Sequence, residues 1–202
     1  MRAFERQISM AVAWMGHFVM EGNLLRQLVR DAKAGDAASF ERIVILHECL
    51  VLRVAQRILL NGEDAKDAAQ EVFIRLHRTL SRFDEEKDLG PWLYRLTVNV
   101  CRDVLRRGKR NVSLDIVSDS ADAAPDPEQS AVAAQQYRIV LDALQELSPR
   151  EREAVVLCDL EGRSTEEVAE ILGSSETTVR SQLSTGRVKM KNYVTARLRR
   201  RK

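Results

Sequence analysis

The sequence predicts an all-α protein of two small helical domains joined by an acidic, flexible linker. Three observations predict it. Apolar residues recur at the helical period over most of the chain. No stretch alternates with period two for long enough to make a convincing strand. Between positions 111 and 131 the periodicity stops, in a tract holding Ser118, Asp119, Ser120, Asp122, Pro125, Asp126, Pro127 and Glu128 with no core face. A length of 202 residues suits one large domain or two small ones. The hydrophobic fraction of 45% is ordinary for a globular protein, and the aromatic fraction of 5% is low. Net charge is only +2, but it is segregated, acidic from Asp115 to Glu128 and basic at Arg102 to Arg110 and Arg197 to Lys202. Basic patches on a near-neutral chain point to a polyanion touched in particular places. The expected organisation is an N-terminal extension or leader over 1–22, a first domain over 23–110, a linker over 111–133, a second domain over 134–196 and a basic tail over 197–202.

Ile8 to Met20 is almost entirely apolar and follows Arg2 and Arg6. It is too short to span a bilayer, which needs about 20 apolar residues, and no small-x-small cleavage site follows it. The expectation is that Met15 or Met20 is the true start and the preceding residues an added leader. An amphipathic extension that docks on a partner is the alternative.

Asn23 to Ala34 reads as a short helix with Leu24, Leu25, Leu28 and Val29 inward, closed by Gly35. Asp36 caps a long helix from about Ala37 to Leu60, with Phe40, Ile43, Val44, Val51, Val54, Ala55 and Ile58 at helical spacing. Asn61-Gly62 is expected to break it. A third helix from about Asp64 to Ser81 turns Ala69, Val72, Phe73, Leu76 and Leu80 to the core, while Asp67, Gln70 and Glu71 share a different, acidic face. After a loop from Arg82 to Gly90 comes a helix over Pro91 to Arg107, with Pro91 suited to its first position. Leu93, Leu96, Val100 and Val104 fall on one side and Arg95, Asn99, Arg102 and Arg106 on the other. A solvated surface helix would carry the same stripe; the basic run that follows it, Arg106, Arg107, Lys109 and Arg110, favours a polyanion.

Helices return from about Ala134, with Val140, Leu141, Leu144 and Leu147 inward. Ser148-Pro149-Arg150-Glu151 and Ser164-Thr165-Glu166-Glu167 are both strong helix starts, with a serine cap and a glutamate reaching back. The second of these helices stops at Gly173. Ser174 or Ser175 then caps a last helix, with Val179, Leu183, Gly186 and Met190 on its core face and Thr177, Arg180, Ser181, Ser184 and Arg187 outward. Helix, tight turn and polar second helix make a helix-turn-helix, whose second helix enters the major groove. Arg180 or Arg187 can bond guanine bidentately, Gln182 can pair with adenine, and the hydroxyls are short enough for close approach. An ordinary helical hairpin has the same outline.

Several motifs, in order, resemble those of bacterial RNA polymerase sigma factors of the extracytoplasmic-function (ECF) group. Asp67-Ala68-Ala69-Gln70-Glu71-Val72-Phe73 resembles the D-x-x-Q-E-x-F signature of region 2. Pro91-Trp92-Leu93-Tyr94-Arg95 with Val98-Asn99 resembles its W-L-Y/F-R-I-A-x-N segment. Leu147-Ser148-Pro149-Arg150-Glu151-Arg152 resembles the L-P-x-x-x-R opening of region 4, and Leu160 to Ser181 resembles its helix-turn-helix. The resemblance covers about Asn23 to Tyr193. It implies that the first domain is a region 2 bundle and the second a region 4 helix-turn-helix. It implies docking of Asp67, Gln70 and Glu71 on the β′ clamp helices of core RNA polymerase, with a further contact to the β flap. It implies capture of the opened −10 strand by Arg95, Asn99, Arg102 and Arg106, with the Phe83 to Leu89 loop as pocket wall and Trp92 and Leu93 in the core. The −35 duplex falls to Thr177, Arg180, Ser181, Ser184 and Arg187. An anti-sigma factor that covers these faces, and a cytoplasmic location without stable membrane insertion, also follow from the resemblance.

The recognition helix departs from the family's V-R-S-R-L-x-R-A-R by having fewer cations, which implies fewer phosphate contacts and a shallower salt dependence. Gly186 stands mid-helix at a cost of up to about 1 kcal/mol relative to Ala, and either permits a close approach or weakens the helix. Asp103 within the basic helix either repels phosphate or pairs with Arg106 or Arg107. Cys49, Cys101 and Cys158 form no CxxC pair and read as buried, reduced thiols. His17, His47 and His77 have no ligand spacing and read as surface or boundary residues. No metal, cofactor or catalytic residue is expected: clustered His or Cys and a phosphate-cradling glycine loop are both missing. The rivals to a promoter-specificity subunit are a stand-alone helix-turn-helix regulator, an enzyme without a visible constellation, and a scaffolding or inhibitory helical protein.

Overall fold

Asp36 accepts hydrogen bonds from the backbone N–H groups of Ala38 and Ser39 at 3.3 and 3.1 Å and from the Ser39 hydroxyl at 2.6 Å. This starts the longest helix of the N-terminal part by satisfying donors that have no partner within the helix. The computed structural model describes residues 23–110 and 137–199; the leader over 1–22 and the linker over 111–133 lie outside them. In order the helices are α1 (23–33), α2 (Ala37–Leu59), α3 (Gly62–Thr79), α4 (Leu89–Arg110), α5 (137–145), α6 (Pro149–Val155), α7 (Thr165–Leu172) and α8 (Glu176–Arg199). A 3-10 turn, Leu80–Arg82, follows α3, and a π-helical turn, Val156–Leu160, follows α6. No strand occurs among the described residues.

Local chemistry explains the ends. Gly35 has φ +100°, the left-handed conformation that favours glycine. The break between α2 and α3 differs from expectation. Leu60, not Gly62, takes positive φ (59°), and Asn61 caps α3 by accepting from Glu63 and Asp64 N–H at 2.9 and 3.2 Å. Gly62 is therefore the first helical residue, two positions earlier than the pattern implied. Likewise α4 begins at Leu89, so Pro91 occupies the third helical position. Pro91 is still in the first turn, where an absent N–H costs nothing.

The chain forms two compact units. The first comprises residues 23–49 and 73–89, with Leu28, Val29, Ile43, Leu76, Leu80 and Leu89 buried. Its loop after the 3-10 turn is tied to α1. Arg30 and Lys33 bind the Glu85 carboxylate at 3.2 and 3.1 Å, and Lys33 also donates to the Phe83 carbonyl at 3.0 Å. The lysine hydrogen bond and the adjacent arginine hold the Glu85 carboxyl below its usual range against the opposing effect of burial. His77 packs edge-on to Phe40.

The second unit comprises residues 50–72 and 90–199. Its core joins Val51, Val54 and Ile58 of α2, Ala65, Ala68 and Val72 of α3, and Leu93, Val98, Val100 and Cys101 of α4. In the C-terminal helices Leu144, Leu147, Ala154 to Leu157, Val168, Val179 and Leu183 are buried. The core stripe of α3 is rotated from expectation: Ala65 and Ala68 are buried, whereas Ala69 and Phe73 are half-buried. The buried face of α4 is rotated from expectation: Leu93 and Val100 are buried, Leu96 and Val104 are half-buried, and Tyr94, Thr97, Val98 and Cys101 are buried instead. Of the cysteines only Cys101 is buried; Cys49 is exposed and Cys158 half-buried, which corrects the expectation of three buried thiols.

Both serine capping boxes form. Ser148 and Ser164 accept from Glu151 and Glu167 N–H, and each glutamate accepts from its serine's N–H at 2.9 and 2.8 Å. Gly173 ends α7 in the left-handed conformation, and Ser175 caps α8. Gly186 marks a close approach of α8 to α6: a Cβ there would lie 2.7 Å from Val155 Cγ2. Val155 is buried and β-branched, so it cannot swing away. Gly186→Ala is expected to lose more by overpacking, about 1–3 kcal/mol, than the roughly 1 kcal/mol it gains in helix propensity. Thermal unfolding should show a lower midpoint, and an unchanged or higher one would mean that α6 gives way.

Candidate nucleic-acid interface

α3 turns Asp67 and Gln70 to solvent, with Glu71 half-buried beside them. All three lie on one helical face because their spacing is three and four residues. The opposite side of the same turn is fixed by buried Ala65, Ala68 and Val72.

α4 separates the four residues of its polar stripe. Arg95 and Asn99 are exposed. Arg106 is exposed and forms an ion pair with Asp103 at 3.5 Å, one of the two roles open to that aspartate. Arg102 is different: it is half-buried, and its Nε and a terminal nitrogen donate to both oxygens of Glu153 at 2.8 and 2.7 Å. The Glu153 side chain is only 1% exposed, and Arg150 adds a third contact at 3.3 Å. The sequence places Arg102 on an outward stripe; the fold engages it with α6.

α6 and its π turn make a second contact of the same kind. Arg53 grips Glu161 with two hydrogen bonds of 3.0 and 2.9 Å, Arg57 donates at 2.6 Å, and the Tyr94 hydroxyl donates at 3.1 Å. The Glu161 side chain is 2% exposed. Burial pushes its carboxyl up, but the Arg53 hydrogen bonds and charge, with Tyr94 and Arg57, outweigh burial and hold it below the usual range. Tyr94 is pushed up to about 12, first by burial and then by the Glu161 charge. The Arg163 guanidinium lies 5.4 Å from the Tyr94 ring centroid, within cation–π range. The Cys101 thiol is pushed up to about 12 by burial and by the Glu153 charge, so it is no nucleophile.

On α8, Thr177, Arg180, Ser181, Ser184 and Arg187 are all exposed, as their spacing predicts. Two carboxylates orient the arginines. Glu176 binds Arg180 at 2.6 Å and is itself held by the Thr165 hydroxyl at 2.7 Å. Asp159, in the π turn, binds Arg187 through two hydrogen bonds of 3.0 and 2.6 Å, which raise the guanidinium's pKa. The Glu176–Arg180 pair is visible in the sequence as an i, i+4 spacing, whereas the Asp159–Arg187 pair crosses between elements and is not. Gln182 is a correction: it is half-buried with its amide oxygen buried and unbonded, so it does not present itself to a base edge. Among the described residues no cluster of His, Cys, Asp and Glu could hold a metal ion, and no helix is long and apolar enough to cross a membrane.

Comparison with known proteins gives the family. A family model described as sigma-70 region 2 matches residues 43–111, and one described as sigma-70 region 4 matches residues 137–190. The ECF RNA polymerase sigma factor SigE of Mycolicibacterium smegmatis is 36% identical over 172 residues, covering 82% of this chain and 66% of that protein. The chain thus spans just under two thirds of that relative's length. The ECF RNA polymerase sigma factor SigM of Mycobacterium tuberculosis (strain H37Rv) is 33% identical over 159 residues, covering 78% of each. Among solved structures, the sigma factor RpoE in complex with the anti-sigma factor NepR from Bartonella quintana shares the fold. Its TM-score is 0.62 at 20% identity, over 77% of this chain and 96% of that one.

Proposed function

The chain belongs to the ECF group of sigma-70 factors, and from that membership we propose that it recruits core RNA polymerase to promoters, reads the −35 duplex and holds the opened −10 strand. The observation that carries the reading is the array of exposed α8 side chains, hydroxyls interleaved with two carboxylate-oriented arginines, on the second helix of a helix-turn-helix. A guanidinium fixed by a carboxylate loses less conformational entropy when it meets guanine O6 and N7, and each such pair discriminates by about 1–3 kcal/mol.

The remaining roles follow the chain. Residues 23–110 act as region 2 and residues 134–196 as region 4. Asp67, Gln70 and Glu71 dock on the β′ clamp helices, and region 4 meets the β flap. Arg95, Asn99, Arg102 and Arg106 take the non-template strand: Asn99 contacts a base or the backbone and the arginines bind phosphates. Thr177, Arg180, Ser181, Ser184 and Arg187 take the −35 element. The work is recognition, with no reaction of its own, and it is done where polymerase is, in the cytoplasm. The anti-sigma complex of the structural neighbour supports a similar protein partner here, and exposed Ile45, Leu46 and Cys49 on α2 offer such a partner an apolar surface.

Asn99→Ala separates strand capture from recruitment. Binding to core polymerase should be unchanged, while permanganate reactivity of unpaired thymines at the −10 element should fall by about tenfold, the loss of one base-directed hydrogen-bonding side chain. Equal reactivity would remove Asn99 from the strand site. A stand-alone regulator would instead bind its operator tightly without polymerase.

A further inference from the structure

α8 opens on an acid at the edge of its exposed polar face. Glu176 is the first residue of the helix, one turn before Arg180 and three turns before Arg187, so the three share one side of it. A glutamate in a first helical turn is commonplace, because it complements the helix dipole. The contacts of this one go further. The Thr165 hydroxyl of α7 and a terminal nitrogen of Arg180 both donate to the same oxygen, Oε1, at 2.7 and 2.6 Å. Oε2 has no hydrogen-bond partner among the described residues, and the side chain is 41% exposed. The Thr165 hydrogen bond, with the Arg180 charge, holds the carboxyl below its usual range against the opposing effect of burial. At neutral pH the side chain is therefore an acceptor only.

An acceptor fixed beside an arginine is complementary to two neighbouring bases. Arg180 gives only one of its nitrogens to Glu176, which leaves the rest of the fork able to meet guanine O6 and N7. Four helical residues rise about 6 Å, so an acid one turn before that arginine meets the edge of an adjoining base pair. In the major groove cytosine presents only its N4 amino donor. Adenine presents a donor beside the N7 acceptor, and guanine and thymine present acceptors, which repel a carboxylate. Cytosine is the one base whose edge suits Oε2. Because Thr165 ties the carboxylate to the first helix of the helix-turn-helix, little rotamer freedom is lost on contact.

We propose that Glu176 is a further reading residue for the −35 element, and that it selects a cytosine in the base pair next to the guanine taken by Arg180. This rests on the assignment of the α8 face to the −35 duplex made above. The contact works mainly by exclusion. The phosphates on both sides of the groove repel a carboxylate, so Glu176 adds little affinity, whereas a wrong base sets acceptor against acceptor. In a recognition helix already short of cations, the acid lowers sequence-independent attraction further and leaves base contacts a larger share of the binding.

The test uses the full-length protein with core polymerase and promoter fragments randomised over the −35 element of its mapped start sites; the bound fragments are sequenced. The wild type should retain cytosine over the other bases by about tenfold at one position, the lower end of what a base contact supplies. Arg180→Ala should lose the guanine at the adjoining position. Glu176→Ala should flatten the cytosine position and leave the guanine preference in place. Glu176→Gln should exchange cytosine for adenine, because a glutamine amide pairs with adenine N6 and N7. A glutamate that only positions Arg180 would give a different pattern, with guanine preference weakened in both variants and no adenine gained. That pattern, a cytosine retained by both variants, or a wild type with no such cytosine would overturn the proposal. Circular dichroism checks the helices, and the isosteric Gln variant decides the matter if Glu176→Ala is not folded. Absence of any specific start site with the wild type would instead overturn the functional assignment, so the two failures are distinct.

Discussion

Reversing the charge of the α3 face, by Asp67→Arg with Glu71→Arg, is expected to abolish binding to core RNA polymerase and with it all promoter-specific transcription. Asp67 is exposed, so its replacement removes no packing, and the core side of α3 is set by Ala65, Ala68, Val72 and Leu76. Placing like charges across an interface costs several kcal/mol, and each 1.4 kcal/mol is tenfold, so a loss of at least about 100-fold is expected. Asp67→Arg with Gln70→Arg, both fully exposed positions, serves as the companion variant because Glu71 is half-buried. Surface-immobilised polymerase measures the affinity, and circular dichroism checks the helices. Undiminished affinity in both variants would move polymerase docking to another face.

The second large effect is on stability. Arg152 donates to three carbonyls, Leu144 at 3.0 Å, Ile58 at 2.9 Å and Leu147 at 3.2 Å. It thereby satisfies acceptors at the end of α5, in the turn after it and at the end of α2. Burial lowers its pKa, yet an arginine remains charged. Hydrogen bonds to charged groups contribute about 1.5–3 kcal/mol each, and unpaired buried acceptors cost about 1–3 kcal/mol. Arg152→Met keeps the aliphatic volume and removes all three donors. A loss of about 3 kcal/mol is expected, which lowers the unfolding midpoint by roughly 6–12 °C for a chain of this size. A change under about 2 °C would show that water replaces the guanidinium at these carbonyls.

The comparison of sequence with structure turns on range. Ser148 and Ser164 with their glutamates, Gly173 and Asp36 were legible because a cap and its partner lie within four residues of each other. The outward face of α8 was legible because helical spacing assigns faces. Spacing does not assign partners. Glu153 and Arg102 are 51 positions apart, and Glu161 and Arg53 are 108 apart. Nothing local marks these acids as destined for the interior. The rotated stripe of α3 escaped because Ala65 and Ala68 have too little apolar surface to outweigh Phe73 in a hydrophobic pattern. Leu60 escaped because a leucine with positive φ is rare, and the following Asn61-Gly62 pair was the better breaker by type. The Gly186 ambiguity was settled by geometry, since only the crossing of α8 over Val155 explains the missing Cβ.

The proposed role of this chain is to confer promoter specificity on bacterial core polymerase. Its most direct test is in vitro transcription with purified core enzyme on a pool of genomic fragments, with wild-type protein, with the Asp67→Arg, Glu71→Arg variant, and with no addition. Specific start sites are expected with the wild type alone, preceded by common −35 and −10 sequences. Absence of specific starts with folded wild-type protein and active core enzyme, or the same starts from the charge-reversed variant, would overturn that role.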